Sequence, residues 1–334
     1  MKLTKSFYVT GCVLAVGLGA LFVTALATRS SSGDVTVLKL AHGLDASHPV
    51  HKGMEFMADR LREKSDGKMI IQIFPSEQLG AERECIEQLQ IGCLDMTKSS
   101  TASLESFLPE VSVFGVPYVF RDREHFWKVL DGPIGDRFLE AGKRVGLHGI
   151  CYYDSGSRSF YTKSKMIKTP DDLVGMKIRV IKSKTAMAMV EALGGSPTPI
   201  SWGELYTALQ QGVVDGAENN EPSFQTSRHY EICKYYSLDE HTMVPDVVLL
   251  SEVVWNQLTA EQQRLLREAA VESSHFQRKL WEEKTKESLA IVKEAGVEVF
   301  RPDKEPFRAK VRPMHESYAG TEIGRVIAEI QEVR

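Results

Sequence analysis

Two stretches of the chain repeat one another, and together they decide the fold. Residues 84–95 read ECIEQLQIGCLD, and residues 204–215 read ELYTALQQGVVD. Glu, Leu, Gln, Gly and Asp recur at the same places, always 120 positions apart. Each copy predicts an amphipathic helix that ends at a glycine, Gly92 or Gly212, and then a short apolar strand. Two lobes of similar βαβ construction would explain the repeat, and chance agreement of common helix-stop residues is the alternative.

The residues around the first copy alternate between strand and helix patterns. The pattern predicts strands over 37–41, 69–74 and 93–97, with helices over 49–64 and 81–91 between them. This order favours an α/β lobe with parallel strands. Around the second copy we expect strands over 145–153 and 176–181, and Ser201-Trp202-Gly203-Glu204 predicts a capping box at the start of the helix.

A helical pattern continues almost without interruption from Thr259 to Ala295. A helix of that length would extend about 55 Å, which exceeds the width of one lobe. We therefore expect it either to straddle both lobes or to break near Ser273-Ser274-His275. The segment after Ile323 is charged and amphipathic, and it is predicted to be peripheral.

The overall composition is that of a globular protein that does not bind nucleic acid. The 334 residues include 41 Lys and Arg against 45 Asp and Glu, and 43% are apolar. These values exclude collagen-like, coiled-coil and disordered chains, and the net charge of −4 provides no basic field for nucleic acid. The length is sufficient for two lobes, each with a core of its own.

The N-terminus has the pattern of an export signal. Lys2 and Lys5 precede an uncharged, mostly apolar stretch over 6–27 that ends in Ala25-Leu26-Ala27, a site of the A-x-A cleavage type. Removal of a signal peptide over 1–27 would change the net charge from −4 to −6, since two lysines are lost. An uncleaved membrane anchor is the alternative, because the apolar stretch is marginal in length for spanning.

Export would permit disulfide bonds among the four remaining cysteines. Cys85 lies within a predicted helix and Cys93 just beyond it, about 12 Å apart along the axis, so free thiols are expected for this pair. The sequence does not decide whether Cys151 and Cys233 are bonded. No C-x-x-C motif is present, which argues against zinc ribbons and thioredoxin-type redox sites.

The common motifs of catalysis are absent. The chain has no G-x-S-x-G, H-E-x-x-H or P-loop, and the mature part has no G-x-G-x-x-G, so no enzyme activity and no cofactor are predicted. His48 and His51 have a spacing that could bring two metal ligands together at a helix start, but a solvated helix end is the favoured interpretation. No metal site is predicted.

Two arginines and one polar run point instead to a binding cleft. Arg179 lies on a strand whose two faces are both expected to be covered, and a buried guanidinium needs an anionic partner, either an internal carboxylate or a ligand. Arg158 lies in a turn after a strand, and Glu218-Asn219-Asn220-Glu221-Pro222 follows another strand. Open α/β sheets bind ligands at such strand ends. The residues predict a cleft for a small anion.

At these residues the chain resembles the periplasmic solute-binding proteins of tripartite ATP-independent (TRAP) transporters, the C4-dicarboxylate-binding family. The resemblance extends from Leu38 to about Pro313. It rests on the motifs FPSEQLG (74–80), VPY (116–118), GMKIRV (175–180), GSPTP (195–199), ELYTALQ (204–210) and VDGAEN (214–219).

The resemblance implies a two-lobed α/β binding protein fold with crossover hinge strands and a long helix spanning both lobes. It implies lobe I over residues 28–152, with about 245–285 returning to it. It implies lobe II over 153–244, with about 286–334 packing on it. The protein would act in the periplasm and deliver an organic acid to membrane permease subunits. A monomer is expected, but the sequence does not determine the oligomeric state.

The resemblance also implies roles for particular residues. Arg179 would hold the substrate carboxylate, Arg158 would accompany it, Trp202 would pack on the ligand and Asn219 would bond it. Glu82 would line the first-lobe side of the cleft.

The resemblance also narrows the choice of acid. Ser100 and Ser103 occupy positions where sialic-acid binders carry Glu and Arg, which argues against sialic acid. The set formed by Lys98, His42 and Glu218 to Glu221 is similar to binders of uronates or aldonates. A C4-dicarboxylate or other monocarboxylate binder, a ligand sensor for a membrane kinase, and a periplasmic hydrolase or lyase are the alternatives.

Overall fold

The computed structural model describes residues 35–334, so the predicted signal peptide over 1–27 lies outside the described residues. The described part contains eleven strands and twelve α-helices. The strands are β1 (Thr36–Ala41), β2 (Met69–Phe74), β3 (Met96–Ser100), β4 (Leu147–Tyr153), β5 (Arg158–Thr162), β6 (Lys177–Val180), β7 (Ser196–Pro199), β8 (Gly216–Asn219), β9 (Tyr235–Thr242), β10 (Asp246–Ser251) and β11 (Glu298–Phe300). The helices are α1 (Pro49–Lys64), α2 (Glu82–Gln90), α3 (Thr101–Leu104), α4 (Arg123–Leu130), α5 (Pro133–Ala141), α6 (Lys184–Ala192), α7 (Trp202–Gln211), α8 (Glu221–Thr226), α9 (Glu252–Trp255), α10 (Ala260–Glu294), α11 (Glu305–Ser317) and α12 (Glu322–Glu332).

The strands form two sheets whose connections cross between them. The first sheet has the order β2-β1-β3-β10-β4, and the second has the order β11-β9-β5-β8-β6-β7. The chain completes four strands of the first sheet, builds β5 to β9 in the second, returns for β10 and ends with β11 in the second. The predicted α/β fold with crossover strands is confirmed.

The repeat corresponds to one structural unit that occurs in each sheet. Both helices end at a glycine with positive φ, +74° at Gly92 and +75° at Gly212, a conformation that costs glycine little. The aspartate that closes each copy then accepts a hydrogen bond from the neighbouring parallel strand. The Asp95 carboxylate bonds the Lys39 N–H at 2.8 Å, and the Asp215 carboxylate bonds the Lys177 N–H at 2.8 Å.

The strand after the first copy begins later than predicted. Residues 93 and 94 still belong to the helix end, because the Cys93 and Leu94 amides both donate to the Gln88 carbonyl at 2.9 and 3.3 Å. The strand therefore begins at Met96 rather than at Cys93.

The long helix α10 is unbroken through Ser273-Ser274-His275. Leu266 and Trp281 pack in the core beneath the first sheet, whereas Leu289 and Val292 pack in the core beneath the second. The helix thus spans both lobes, as one of the two alternatives predicted. Within residues 35–334, no helix combines the length and apolar character needed to cross a membrane.

The prediction that all of 286–334 packs on lobe II is wrong for the last helix. Val326 and Ile330 of α12 are buried in a core cluster with residues of the first sheet. Gln331 also donates to the Val119 carbonyl at 2.6 Å. The apolar stripe of α12 is buried against lobe I, whereas the preceding helix α11 packs on lobe II, with Phe307 and Val311 buried there. The remaining lobe boundaries stay a prediction.

All four cysteines of the described part are free thiols. Cys151 lies in the core of the first sheet and Cys233 in a core of the second, so the undecided pair is not bonded. The expectation of free thiols at Cys85 and Cys93 is confirmed.

Candidate functional site: a cleft between the two sheets

A cleft with a cavity volume of about 90 Å³ lies between the two lobes, where side chains from both sheets meet. Six of the eight predicted ligand-binding residues line it, namely Arg179, Arg158, Asn219, Trp202, Glu82 and Lys98. A concave cleft between two lobes is the kind of site in which proteins bind small molecules. The cleft opens at strand ends of both sheets, as expected for open α/β sheets.

Arg179 is a buried cation without an ionic partner in the described part of the chain. It lies on β6 and is 2% exposed. Its Nε donates to the Ile200 carbonyl at 2.9 Å, and within residues 35–334 its two terminal nitrogens have no hydrogen-bond partner. Burial lowers the pKa of this guanidinium, although arginine remains charged in proteins. A buried charge is costly unless it is paired, so this geometry favours an anion in the cleft.

Arg158, by contrast, is already neutralised. Its guanidinium forms two bonds to the Glu218 carboxylate, through Nε and, at 2.8 Å, through Nη2. Its Nη1 donates to the Asn219 Oδ1 at 3.0 Å. Arg158 therefore lines the cleft without offering a free charge, and it orients Asn219. The internal salt bridge considered for the buried arginine is found at Arg158 and not at Arg179.

Glu218 lies behind the cleft in a buried ionic network. Burial opposes its ionisation, but Arg158 and His241 together hold the pKa of Glu218 down at about 2. Burial likewise opposes a charge on His241, yet Asp239 and Glu218 raise the pKa of His241 to about 9. His241 Nδ1 lies 2.8 Å from an Asp239 carboxylate oxygen. Glu218 serves to hold Arg158 rather than to contact a ligand.

Asn219 presents a donor to the cleft. Its carboxamide oxygen accepts from Arg158 and, at 2.9 Å, from the Asn220 N–H. Its amide NH2 group has no hydrogen-bond partner among residues 35–334, so it can donate to a ligand oxygen. Trp202 covers the same side, with its ring 5.8 Å from the Arg179 guanidinium carbon.

The first-lobe wall of the cleft contains one lysine held between two carboxylates. Lys98 is 3% exposed and pairs with Glu82 at 3.0 Å and with Asp246 at 3.1 Å. Burial opposes ionisation of Glu82, but Lys98 and the Ser103 hydroxyl lower its pKa overall. Ser103 donates to Glu82 at 2.6 Å. Burial raises the pKa of Asp246.

Two predicted site residues, Glu221 and His42, do not line the cleft. Glu221 is the first residue of α8 and faces a different cavity, because the helix turns its side chain away from Asn219. His42 is occupied within lobe I, where its Nε2 lies 2.9 Å from His51 Nδ1 and its Nδ1 accepts from the Leu44 N–H at 3.1 Å. Both predictions are corrected.

His48, considered as a metal ligand, is instead the cap of a helix. Its Nδ1 accepts from the Val50 N–H at 3.2 Å, and its Nε2 lies 3.1 Å from the Ser223 hydroxyl in the other lobe. The ring is buried and lines the cleft. Among the described residues, no group of three or more potential metal ligands is found.

Several cleft residues were not predicted as individual ligand-binding residues from the sequence. The most informative are Glu77, Asp246, Asn220 and Ser155. Asp246 comes from β10, which enters the first sheet only because the chain returns from lobe II. Asn220 is held by a bond from its Nδ2 to the Ser155 carbonyl at 2.8 Å, a contact between distant segments. Only Asn220 carried a signal, since it lies in the polar run after β8.

Because His42 is buried, we expect the protein to lose stability measurably in mild acid. Burial and nearby Lys98 lower its folded-state pKa to about 3, whereas the unfolded value is near 6.5. The unfolded chain therefore takes up the proton first as the pH falls below about 6.5, which costs the folded state about 2 kcal/mol by pH 5. Replacing His42 with Gln should reduce the loss of unfolding free energy between pH 6.5 and 5.0 by about this amount. Denaturant unfolding at both pH values measures the difference, and equal losses in the two proteins would contradict the assignment.

Comparison with known proteins agrees with this arrangement of fold and cleft. A family model described as bacterial extracellular solute-binding protein, family 7 (DctP) matches residues 40–321. A TRAP periplasmic solute-binding protein of Bradyrhizobium sp. BTAi1, solved with galacturonate, is 42% identical with a TM-score of 0.86. The match covers 88% of this chain and 99% of that one.

Two further relatives, one a solved structure and one known here by its sequence, are also similar to this chain. A TRAP solute-binding protein of Pseudomonas putida F1, solved with D-glucuronate, is 37% identical with a TM-score of 0.86, over 89% of this chain and 97% of that one. The 2,3-diketo-L-gulonate-binding periplasmic protein of Escherichia coli is 31% identical over 84% of this chain and 86% of its own length.

Two lobes, crossover strands and a cleft that contains a buried, unpaired arginine define a periplasmic-type solute-binding protein. The chain belongs to family 7 of the bacterial extracellular solute-binding proteins, the DctP family of TRAP transporters. Proteins of this family bind small organic acids and work with membrane permease components; they are not enzymes.

Proposed function

We propose that this protein binds a sugar acid, a uronate or closely related aldonate, and delivers it to a TRAP permease. The observation that carries the proposal is Arg179, a buried guanidinium whose two terminal nitrogens have no hydrogen-bond partner among residues 35–334. A planar guanidinium matches a carboxylate with two parallel hydrogen bonds. The ligand carboxylate is therefore assigned to Arg179, with Trp202 and the Asn219 amide beside it.

The opposite wall supports a ligand whose other end carries hydroxyl groups. Glu82 and Asp246 offer carboxylate oxygens, which accept hydrogen bonds from hydroxyls. A second ligand carboxylate at this wall would meet two acidic groups and one lysine, so a dicarboxylate is disfavoured by repulsion. The three relatives described above carry names with galacturonate, D-glucuronate and 2,3-diketo-L-gulonate, all acids with several hydroxyls or carbonyls.

The expected affinity is compatible with a transport function. A hydrogen bond to a charged group contributes about 1.5–3 kcal/mol, so one bidentate carboxylate and several hydroxyl bonds suffice for about −8 kcal/mol, a micromolar dissociation constant. We further propose that the mature protein is a periplasmic monomer released by cleavage after Ala27. Lys2 and Lys5, the uncharged apolar stretch that follows them, and the A-x-A site support the cleavage.

A thermal-shift panel tests the ligand class. D-galacturonate, D-glucuronate and D-erythronate are expected to raise the melting temperature by several degrees, because ligand at 100 times its dissociation constant adds about 2.7 kcal/mol. Succinate, galactarate and sialic acid serve as controls and should have little effect. A shift with succinate and none with the sugar acids would overturn the sugar-acid proposal while leaving organic-acid binding intact. Mass spectrometry of denatured protein would reveal an acid that co-purifies.

A further inference from the structure

Glu105 of lobe I caps a helix of lobe II. It follows α3 directly, and its carboxylate accepts from the Thr185 N–H at 3.2 and 3.3 Å. The Thr185 hydroxyl donates to the same carboxylate at 3.1 Å, and the Ser183 hydroxyl donates to it as well. Ser183 is the N-cap of α6 and Thr185 lies in its first turn. The contact therefore joins two elements that belong to different cores.

Glu77 makes an equivalent contact at a second helix. Its carboxylate accepts from the Gly203 N–H at 3.2 Å, in the first turn of α7. The capping box predicted at Ser201 does not form, since the Ser201 side chain makes no capping bond there. The acceptor comes from across the cleft instead.

The backbone that presents Glu77 is strained. Ser76 and Glu77 both adopt positive φ, +55° and +58°, which residues with a Cβ rarely do. Such a conformation persists where surrounding contacts over-determine it, often at a clamp or switch. The contact to α7 is one such contact.

Both contacts combine a carboxylate with a helix N-terminus, where unpaired N–H groups and the helix dipole favour negative charge. Each carboxylate is on lobe I and each helix is on lobe II, so the bonds exist only while the lobes are together. In an open form both partners would be hydrated instead. We propose that Glu105 and Glu77 form an interlobe latch that sets the balance between the open and closed forms, and hence ligand affinity.

Glu105 gives the clean test of the latch, because it does not line the ligand cleft whereas Glu77 does. Glu110 provides a matched control. It lies a few residues further along the same lobe, and its carboxylate pairs with Arg144 of lobe I at distances of 2.5 and 2.7 Å. Removing its charge breaks an ion pair within one lobe only.

The experiment compares wild type, Glu105→Gln and Glu110→Gln with D-galacturonate as the first probe, or with the panel acid that binds if D-galacturonate does not. Glu105→Gln is expected to bind about tenfold more weakly, mostly through faster dissociation, because a charged hydrogen bond is lost from the closed form alone. Its ligand-free melting temperature should match that of wild type. Glu110→Gln should bind as wild type does.

A double-mutant cycle adds a second, independent readout. Thr185→Val removes the hydroxyl that donates to Glu105, so the combined variant should lose less than the sum of the single losses. Unchanged affinity in Glu105→Gln, additive losses in the cycle, or a drop in ligand-free stability equal to the loss of affinity would each overturn the latch. Failure of wild type to bind any sugar acid would contradict the proposed function, whereas the latch depends on the ratio between variant and wild type.

Discussion

Replacing Arg179 with alanine is expected to weaken sugar-acid binding about thirtyfold or more. The variant loses a bidentate, charge-assisted interaction in a buried site, and truncating one partner of such a pair costs about 2–5 kcal/mol or more. The remaining Arg158 cannot take over, because Glu218 already neutralises it. Isothermal titration with D-galacturonate, or with the panel acid that binds, measures the loss.

Arg179→Lys is the control for geometry as opposed to charge. Lysine keeps the positive charge but lacks the planar fork, so most of the affinity should still be lost. Removal of an unpaired buried cation should not lower the melting temperature of the ligand-free protein. Tight binding by Arg179→Ala would show that the carboxylate lies elsewhere in the cleft.

Replacing Glu218 with glutamine is expected to destabilise the protein strongly. The change leaves Arg158, which is 9% exposed, without its counter-charge and removes one of two carboxylates beside the charged His241. Breaking a buried pair in this way costs about 3–5 kcal/mol, which corresponds to a loss of several degrees or more in melting temperature. Thermal and denaturant unfolding measure the effect.

Two further variants serve as controls for the loss of the buried ion pair. Glu261→Gln breaks an ion pair on the exposed surface of α10 and should leave unfolding unchanged. The double variant Arg158→Met/Glu218→Met removes both charges together and should recover much of the stability, since replacing a whole buried pair is often close to neutral. Stability in Glu218→Gln equal to that of wild type would contradict the assignment of Glu218 as the holder of Arg158.

Local sequence patterns were sufficient to predict the strands and helices that position the site residues. The repeated helix–glycine–strand unit predicted βαβ units in both halves, because helix ends and strand starts depend on nearby residues. The buried position of Arg179 followed from the alternation of side chains along a covered strand. The polar run after β8 placed Asn219 at a strand end, and the cleft includes it.

The different roles of Arg158 and Arg179 could not be predicted in the same way. Both are buried basic residues near strand ends, and the sequence does not show which one has an internal carboxylate. Register decides it: in the antiparallel pair of β5 and β8, Ser159 lies opposite Asn219, so Glu218 comes within reach of Arg158. The predictions for Glu221 and His42 also failed because of tertiary packing. The direction of the Glu221 side chain depends on how α8 packs, and that of His42 depends on how the chain packs just after β1.

By itself, the sequence determined the alternation of strands and helices, the two-lobed α/β class, the long helix and the presence of a buried cation at Arg179. These properties arise from the period of apolar residues and from helix-stop chemistry, which act over a few residues. Only the tertiary structure decided which charges are neutralised, that Asp246 joins Lys98 and Glu82, that α12 packs on lobe I, and that Glu105 and Glu77 cap helices across the cleft. Each of these depends on contacts between distant segments, and such contacts are created when the chain crosses between the sheets.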